Sequence, residues 1–360
     1  MSRKDILLPE PVFLRKRLLA WYKVSRRDLP WRRTVDPYKI WISEIMLQQT
    51  TVKTVIPYYE KWIKTFPDIK SLVRAPLQKV LKTWEGLGYY GRARNIKKTA
   101  LILSEKFQSQ FPCSHDQLVR LPGIGDYTAA AVMSIAFDKP FPVLDANVKR
   151  VMTRLLLIES SVAGREEKEI KELLEKGMPK KGCGNFNQAL MELGALICQP
   201  KNPSCPLCPL KDVCLAYKKG VQDSIPLKRQ LAYEKIESVC VLIHRKGKVL
   251  IQKRPPKGLM AGLYEFPGFV KKKRESKENT LKRGIKEEFH AEIRKERFLG
   301  RVIHAYTKFR VFLDVYSVEL EPQDIRGGLS GRLWVKKEEL KKYPFTSGGT
   351  RVIRLLSKGS

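Results

Sequence analysis

No apolar run in this chain approaches the ~18 residues that a membrane-spanning helix requires. No secretory leader is read at its start, so an oxidising compartment and a disulfide framework are not expected. Internal repeats and low-complexity tracts are also missing. What is scarcest is negative charge: 37 Asp+Glu stand against 70 Lys+Arg, a formal net charge of +33. Residues 1–230 carry 40 basic against 22 acidic residues, and 231–360 carry 30 against 15. Both halves are basic, so each is expected to face the same polyanion. Nucleic acid is the default partner, because neutralising phosphates rewards this balance. A lysine bias toward solubility or thermostability is the other reading of charge taken alone. At 360 residues the chain has length for two or three domains with their own cores. It reads as a soluble, cytoplasmic protein, most simply a monomer with no membrane contact.

What is present divides in two. Residues 11–220 read as helices joined by short turns, with apolar helical spacing at 12–22, 38–49, 52–65, 77–83, 92–107, 126–137, 148–157, 166–176 and 185–198. Proline and glycine punctuate them at Pro37, Pro67, Pro76, Gly86, Gly88, Pro112, Pro122 and Pro140. After about 225 the texture changes to β-branched, partly alternating segments at 237–243, 248–253, 301–303, 310–320 and 331–335, with one helix at 279–289. The expected division is a helical region 1–225, a linker 226–236 and an α+β domain 237–360. The run Lys271-Lys272-Lys273-Arg274 reads as a solvated loop, with phosphate contact as the second reading.

Four cysteines are spaced Cys198-x6-Cys205-x2-Cys208-x5-Cys214. One thiolate per iron is what a [4Fe–4S] cube needs. A four-cysteine zinc site usually comes as two short C-x2-C pairs, and only Cys205 and Cys208 form one. Cys113, Cys183 and Cys240 stand apart and read as reduced core or surface thiols. Leu121-Pro122-Gly123-Ile124-Gly125 lies between an amphipathic stretch and a new helix. Two glycines permit a tight turn with close backbone approach, and the helix beyond offers unpaired N–H groups to a phosphate. The element reads as a DNA-binding helix–hairpin–helix or as a plain helix-to-helix turn. Glu44 has Ile40, Trp41, Leu47 and Gln48 as its helical neighbours. A carboxylate on an apolar stripe is either paired structurally or functional, and desolvation would raise its pKa toward that of a proton donor. Asp145 stands where an extended segment meets a helix, a favoured N-cap position that can also face a cavity.

The cysteine spacing, the Leu-Pro-Gly-Ile-Gly hairpin and Val143-Leu144-Asp145-Ala146-Asn147-Val148 together resemble the endonuclease III superfamily of DNA glycosylases. Within it, Asp28 to Arg32, Ser43 to Thr50, Gly86 to Tyr90 and Asn185 to Met191 look like the MutY-type adenine glycosylases. The resemblance covers nearly the whole chain. It implies an all-α helix–hairpin–helix glycosylase domain with a [4Fe–4S] loop, followed by an α+β Nudix-like domain. The six-helix barrel would span about 30–140, and the cluster module would combine the N-terminal helix with 141–225. The implied substrate is double-stranded DNA carrying adenine opposite 8-oxoguanine or guanine, and the implied place is the nucleoid. Thymine or uracil excision by the same superfamily, and lesion binding without catalysis, are the alternatives.

The resemblance assigns roles residue by residue. A flipped adenine would lie among Trp31, Arg32, Leu47 and Gln188. Glu44 would protonate N7, Asp145 would stabilise an oxocarbenium-like sugar, and Tyr127 and Asn147 would orient them. Tyr127 stands two residues after the second hairpin glycine, where bifunctional relatives carry a Schiff-base lysine, so a glycosylase without lyase activity is implied. Gln49, Thr50, Leu87, Gly88 and Tyr89 would contact DNA around the gap, and Leu121 to Gly125 its backbone. In the last domain, 262–268 and Arg283 to Glu288 resemble a degraded Nudix box. Glycine replaces the Glu expected after Arg283, and the upstream position falls on Arg274 or Glu275 depending on the count. Tyr306-Thr307-Lys308 stands where the family reads 8-oxoguanine through Phe-Ser-His, with lysine in place of imidazole.

Overall fold

The structure is a computed structural model that describes residues 11–160, 164–226, 233–306, 309–321 and 331–358. It separates into two compact units, residues 1–74 with 95–229, and residues 75–94 with 230–360. The first is all helical and the second is built on a sheet; residues 75–94, which the sequence reading places in the helical region 1–225, group with the sheet-bearing unit.

In the first unit, α2 (Pro37–Leu47) begins where the Asp36 carboxylate accepts the Tyr38 N–H and Pro37 occupies the first turn. Ile40, Trp41, Ile42, Ile45 and Met46 are all buried, so Ser43 and Glu44 are polar groups set into an apolar wall. α8 (Asp126–Ala136) packs against α2, and its run Ala129-Ala130-Ala131 presents small buried side chains. α1 (Pro11–Ser25), α9 (Ala146–Leu155), α10 (Arg165–Gly177) and α11 (Cys183–Leu196) share a second core around Leu18, Tyr22, Val151, Met152, Ile170, Phe186 and Leu190.

One buried amide joins these two sets of helices. Asn187 on α11 donates to the Ser134 hydroxyl and the Phe141 carbonyl, both at 2.8 Å, and accepts the Val143 N–H at 3.1 Å. It thereby pins the extended segment that delivers Asp145 to the start of α9. A buried amide with its donors and acceptor paired is a specific clamp rather than a packing filler.

The second unit holds β1 (Glu234–Arg245), β2 (Lys248–Lys253), β3 (Tyr264–Glu265), β4 (Gly268–Val270), β5 (Ile293–Tyr306), β6 (Phe309–Leu320) and β7 (Arg332–Lys336). The order is β3-β2-β1-β6-β5, with β4 on β1 and β7 on β2; β1 and β6 run parallel and the other pairs antiparallel. β1 is buried on both faces. Val239, Val241 and Ile243 meet α13 (Lys277–Phe289) through Leu281, Ile285 and Phe289, while Cys240 and Leu242 share a core with Phe345 and Val352 of the chain's last segment. That explains why its apolar run is continuous rather than alternating. Val352 lies on α14 (Ser347–Lys358), which the sequence reading did not anticipate. β5 also extends well beyond the expected 301–303, because Arg294, Lys295, Glu296 and Arg297 lie on an edge strand, where charge is tolerated.

Gly284 on α13 faces the Phe269 ring, and a Cβ built there would lie 2.1 to 2.4 Å from its carbons. The glycine found where a Nudix box has glutamate is thus demanded by packing. Gly284→Ala is expected to destabilise the protein by about 1–3 kcal/mol through overpacking. Denaturant unfolding measures this, and combining it with Phe269→Ala should show strong non-additivity, since the clash is with that ring.

Candidate active site

A cavity of about 590 Å³ opens in the first unit between α2, α8, α9 and α11. Glu44 enters it from α2, Tyr127 from the first turn of α8, and Asp145 and Asn147 from the start of α9. Trp31, Arg32, Leu47 and Gln188 also line it, as do Gln49 and Thr50 just beyond α2. The residues that the resemblance assigned to chemistry, to the base pocket and to the Gln49-Thr50 contact are therefore gathered around one space.

Glu44 is 5% exposed, and its Oε2 accepts the Tyr127 hydroxyl at 2.6 Å. Burial raises its pKa from 4.5 to about 7; the Tyr127 hydrogen bond and Arg32 oppose the rise, and the Asp145 charge adds to it. Burial, with Glu44 and Asp145 beside it, holds the Tyr127 phenol well above its ordinary value, so it remains a donor. Asp145 caps α9: one carboxylate oxygen accepts the Val148 N–H at 2.7 Å and the other accepts the Asn147 amide at 2.9 Å. Cap and cavity wall are one side chain.

Two further charged residues line the cavity that the sequence reading passed over, Arg27 and Glu192. Glu192 is 1% exposed and accepts from Arg27 at 2.9 and 2.8 Å and from Arg32 at 3.0 and 2.7 Å. Burial pushes its pKa up, but the hydrogen bonds from Arg27 and Arg32 outweigh it and bring the carboxyl to about 2. The available signal was spacing: Glu192 lies four residues after Gln188, one helical turn along the same face. Arg32 is thereby a fixed wall of the pocket and not a free cation. Gln188 accepts from the Tyr22 hydroxyl at 3.4 Å.

The hairpin lies outside the cavity. Leu121 and Ile124 are buried anchors, and the Pro122 carbonyl accepts the Thr99 hydroxyl at 2.8 Å. Gly123 has φ +79°, and a Cβ there would come within 2.7 Å of Asn95, so both backbone and space call for glycine. Gly125 caps α8 without a side-chain hydrogen bond, which leaves the N–H groups of that first turn for another acceptor. Leu87, Gly88 and Tyr89 belong to the second unit. There the Gly88 carbonyl accepts the Trp84 indole N–H at 2.9 Å, Arg92 lies over the Trp84 and Tyr89 rings, and Tyr89 is half exposed at φ +47°.

The four cysteines lie on the loop that follows α11. Arg154 of α9 donates to Cys198 Sγ at 3.3 Å, and the Leu210 N–H to Cys208 Sγ at 3.4 Å. Among the described residues no three His, Cys, Asp or Glu side chains meet the geometry of a metal cage, so the thiols stand as a donor set rather than a formed one. Partly buried thiols with N–H donors aimed at sulfur are nevertheless the environment that thiolate-bound iron uses. In the second unit, Glu275 accepts from Arg283 at 2.7 and 3.0 Å and from Thr280 at 2.9 Å, while Glu287 pairs with Arg283 and Glu288 with Arg332. The carboxylates of the degraded box are thus committed to arginines. Thr307 and Lys308 lie outside the described residues, and Tyr306 closes β5 opposite Phe309.

The HhH-GPD superfamily of base excision DNA repair proteins matches residues 42–180, and the NUDIX domain matches 238–355. An adenine DNA glycosylase of Buchnera aphidicola subsp. Schizaphis graminum is 45% identical over 256 residues, 70% of this chain and 74% of that protein. That of Buchnera aphidicola subsp. Baizongia pistaciae is 36% identical over 348 residues, 95% and 96% of the two chains. The Rattus norvegicus adenine DNA glycosylase is 32% identical over 405 residues, 95% of this chain and 77% of its own. Among solved structures, a thermostable thymine-DNA glycosylase aligns with TM-score 0.54 and 32% identity, covering 60% of this chain and all 100% of its own. An endonuclease III in a non-covalent complex with DNA aligns with TM-score 0.51 and 25% identity, covering 62% and 99%.

Glu44→Gln tests the buried carboxyl directly, since it keeps shape and an acceptor for Tyr127 but cannot ionise. A folded pKa of about 7 against 4.5 means that stability is lost as pH rises from about 4.5 to about 7 and stays lost above it. The substitution should therefore raise the unfolding free energy by about 1–3 kcal/mol at pH 8 and change it little at pH 4. Denaturant titrations at the two pH values check the sign.

Proposed function

Because the chain belongs to the adenine DNA glycosylases, DNA N-glycosylases of base excision repair, we propose that it excises adenine mispaired with 8-oxoguanine or guanine, by acid-assisted hydrolysis at the Glu44–Asp145 cavity. The observation that carries this reading is Glu44: a carboxyl with pKa about 7, held by Tyr127 in a cavity of about 590 Å³ that Asp145 also lines. Such a group is half protonated near neutrality and can serve as acid and then as base.

The flipped adenine enters among Trp31, Arg32, Leu47 and Gln188, whose amide can pair with its edge. Glu44 gives its proton to N7, so the base departs neutral. The Asp145 carboxylate, oriented by Asn147 and the Val148 N–H, stabilises the developing sugar cation electrostatically or through a transient covalent bond. Glu44 then removes a proton from the attacking water. Among the described residues no lysine lines the cavity, which supports a glycosylase without Schiff-base lyase activity. Glu192, fixed by Arg27 and Arg32, completes the wall that meets the base.

On the DNA side, Leu121 to Gly125 would present backbone N–H groups to a phosphate, Gln49 and Tyr89 would fill the gap left in the stack, and Thr50, Leu87 and Gly88 would contact the DNA. Gln49 and Tyr89 both hold left-handed backbone, φ +56° and +47°, a strained choice that suits a functional turn. Tyr306, Thr307 and Lys308 are assigned to reading 8-oxoguanine opposite the adenine. Cys198, Cys205, Cys208 and Cys214 would hold a [4Fe–4S] cluster, which supplies a structural cross-link for the loop and no acid–base chemistry. No helix among the described residues is long and apolar enough to cross a membrane; we place the protein in the cytoplasm at the nucleoid, as a monomer, with 226–236 as the linker. Thymine or uracil excision is the weaker reading, since the thymine-DNA glycosylase leaves the rest of this chain without a counterpart.

Single-turnover excision on A:8-oxoguanine, A:G, T:G and U:G duplexes tests the proposal. Adenine should be released from the first two only, with a rate that falls about tenfold per pH unit above about 7, as the proton on Glu44 is lost. Glu44→Gln should abolish excision with duplex binding retained, and Asp145→Asn should cost about 3–5 kcal/mol of transition-state stabilisation. Borohydride should trap little complex, and anaerobic protein should carry about four irons per chain. Release of thymine, or normal rates in both variants, overturns the reading.

A further inference from the structure

The segment that carries Tyr89 groups with the second unit, although helices of the first unit flank it in the chain. The bonds responsible meet at Phe345, which is fully buried with its ring 5.2 Å from that of Phe266. Both polar groups of its backbone are taken by that segment. The Phe345 N–H donates to Glu85 Oε1 at 2.9 Å, and its carbonyl accepts the Tyr90 hydroxyl at 3.1 Å. The other Glu85 oxygen pairs with Lys82, which also donates to the Tyr343 carbonyl at 3.0 Å. Glu85 and Tyr90 therefore bracket Leu87-Gly88-Tyr89 and tie both ends of that turn to one buried residue. Inside the bracket the Gly88 and Tyr89 backbones are left-handed, at φ +69° and +47°. The Trp84 indole and the Arg92 guanidinium hold the carbonyls of Leu87 and Gly88. A tyrosine keeps such a backbone only where its surroundings over-determine it.

Phe345 leads into α14, whose first turns grip the end of β5. Arg351 donates to the Ile303 carbonyl, and a Cβ built on Gly348 would lie 3.0 Å from the His304 ring. Ile303 and His304 stand just before Tyr306, where β5 closes. An unbroken path of bonds and packing inside one unit thus runs from the Tyr89 turn, through Phe345 and α14, to the strand that carries Tyr306.

We propose, resting on the roles proposed above for Tyr89 and Tyr306, that Glu85 is a positioning residue for discrimination between 8-oxoguanine and guanine. With Tyr90 it holds Tyr89 at a set distance from the reading strand, so that the ring filling the stack and the reader of the opposite base act as one body. Glu85 has no part in the chemistry of excision and acts through Tyr89.

A double-mutant cycle of Glu85→Ala with Tyr89→Ala tests this, with single-turnover excision and duplex affinity both measured on A:8-oxoguanine and A:G. Glu85→Ala should cut the preference for A:8-oxoguanine about fivefold, the scale of one lost hydrogen bond. Excision from A:G at saturating enzyme should stay nearly unchanged. Glu85→Gln, which keeps an acceptor for the Phe345 N–H, should restore most of the preference. Tyr90→Phe, which removes only a hydroxyl, should repeat the loss and serves where Glu85→Ala fails to fold. In the Tyr89→Ala background Glu85→Ala should cost nothing further, whereas a general structural loss would add. Additive losses, or an unchanged preference in folded Glu85→Ala or Tyr90→Phe, overturn the inference and leave the proposed function standing. Failure of the unsubstituted chain to release adenine removes the proposed function instead, and the affinity cycle then decides whether Glu85 acts through Tyr89.

Discussion

The first unit is organised around the cost of burying one carboxyl. Glu44 sits among Ile40, Trp41, Ile45 and Met46, and the rise of its pKa to about 7 corresponds to about 3 kcal/mol against its ionised form. That penalty is what gives the group its proton at neutral pH, so relieving it would also remove the proton that the proposed mechanism uses. Glu192 lines the same cavity and is also buried, yet Arg27 and Arg32 hold it at about 2. Two carboxyls around one cavity are thus driven in opposite directions, one toward exchange of a proton and one toward permanent charge. The difference lies in the partner: a neutral phenol for Glu44, two guanidinium groups for Glu192.

Asp145 depends on a different support. As the cap of α9 it is held from below by that helix, and α9 is held in turn by its arginines. Arg150 donates to the Asn147 side chain at 2.8 Å and to the Gly194 and Cys198 carbonyls at 2.8 and 2.7 Å. Arg154, 2% exposed, donates to the Gln199 and Ile225 carbonyls and to Cys198 Sγ. A continuous set of hydrogen bonds therefore runs from the cysteine loop to the amide that orients Asp145. The cysteines of that loop do not line the cavity, but the loop is bonded to the helix that Asp145 caps.

Much of this was legible in the sequence because the informative residues break their local rule. Glu44 interrupts an apolar stripe, Asp145 stands at a cap, and Gly123 and Gly125 flank a turn; each is visible from neighbours alone. Glu192 was not, because its meaning comes from Arg27 and Arg32, more than 150 residues away in the chain. In the second unit the buried strand β1 was readable from its apolar run. The charged half of β5 was hidden by its edge position, and α14 by the weak composition of Ser347-Gly348-Gly349 at its start. The glycine after Arg283 could be seen as a departure, but its reason, the Phe269 ring, needed the packing.

Net charge tells least about contacts. Of the arginines near the cavity, Arg27 and Arg32 are taken by Glu192, and Arg150 and Arg154 by backbone carbonyls and a sulfur. These guanidinium groups are structural and cannot neutralise phosphate without dismantling the site. In the second unit Arg283 and Arg332 are likewise bound to Glu275, Glu287 and Glu288. The surplus of +33 thus divides into cations that build the molecule and cations that remain for a polyanion. Only the second kind can contribute to the salt dependence of DNA binding. The phosphate contact proposed for the hairpin makes the same point from the other side, since it would use backbone N–H at a helix start and no basic side chain.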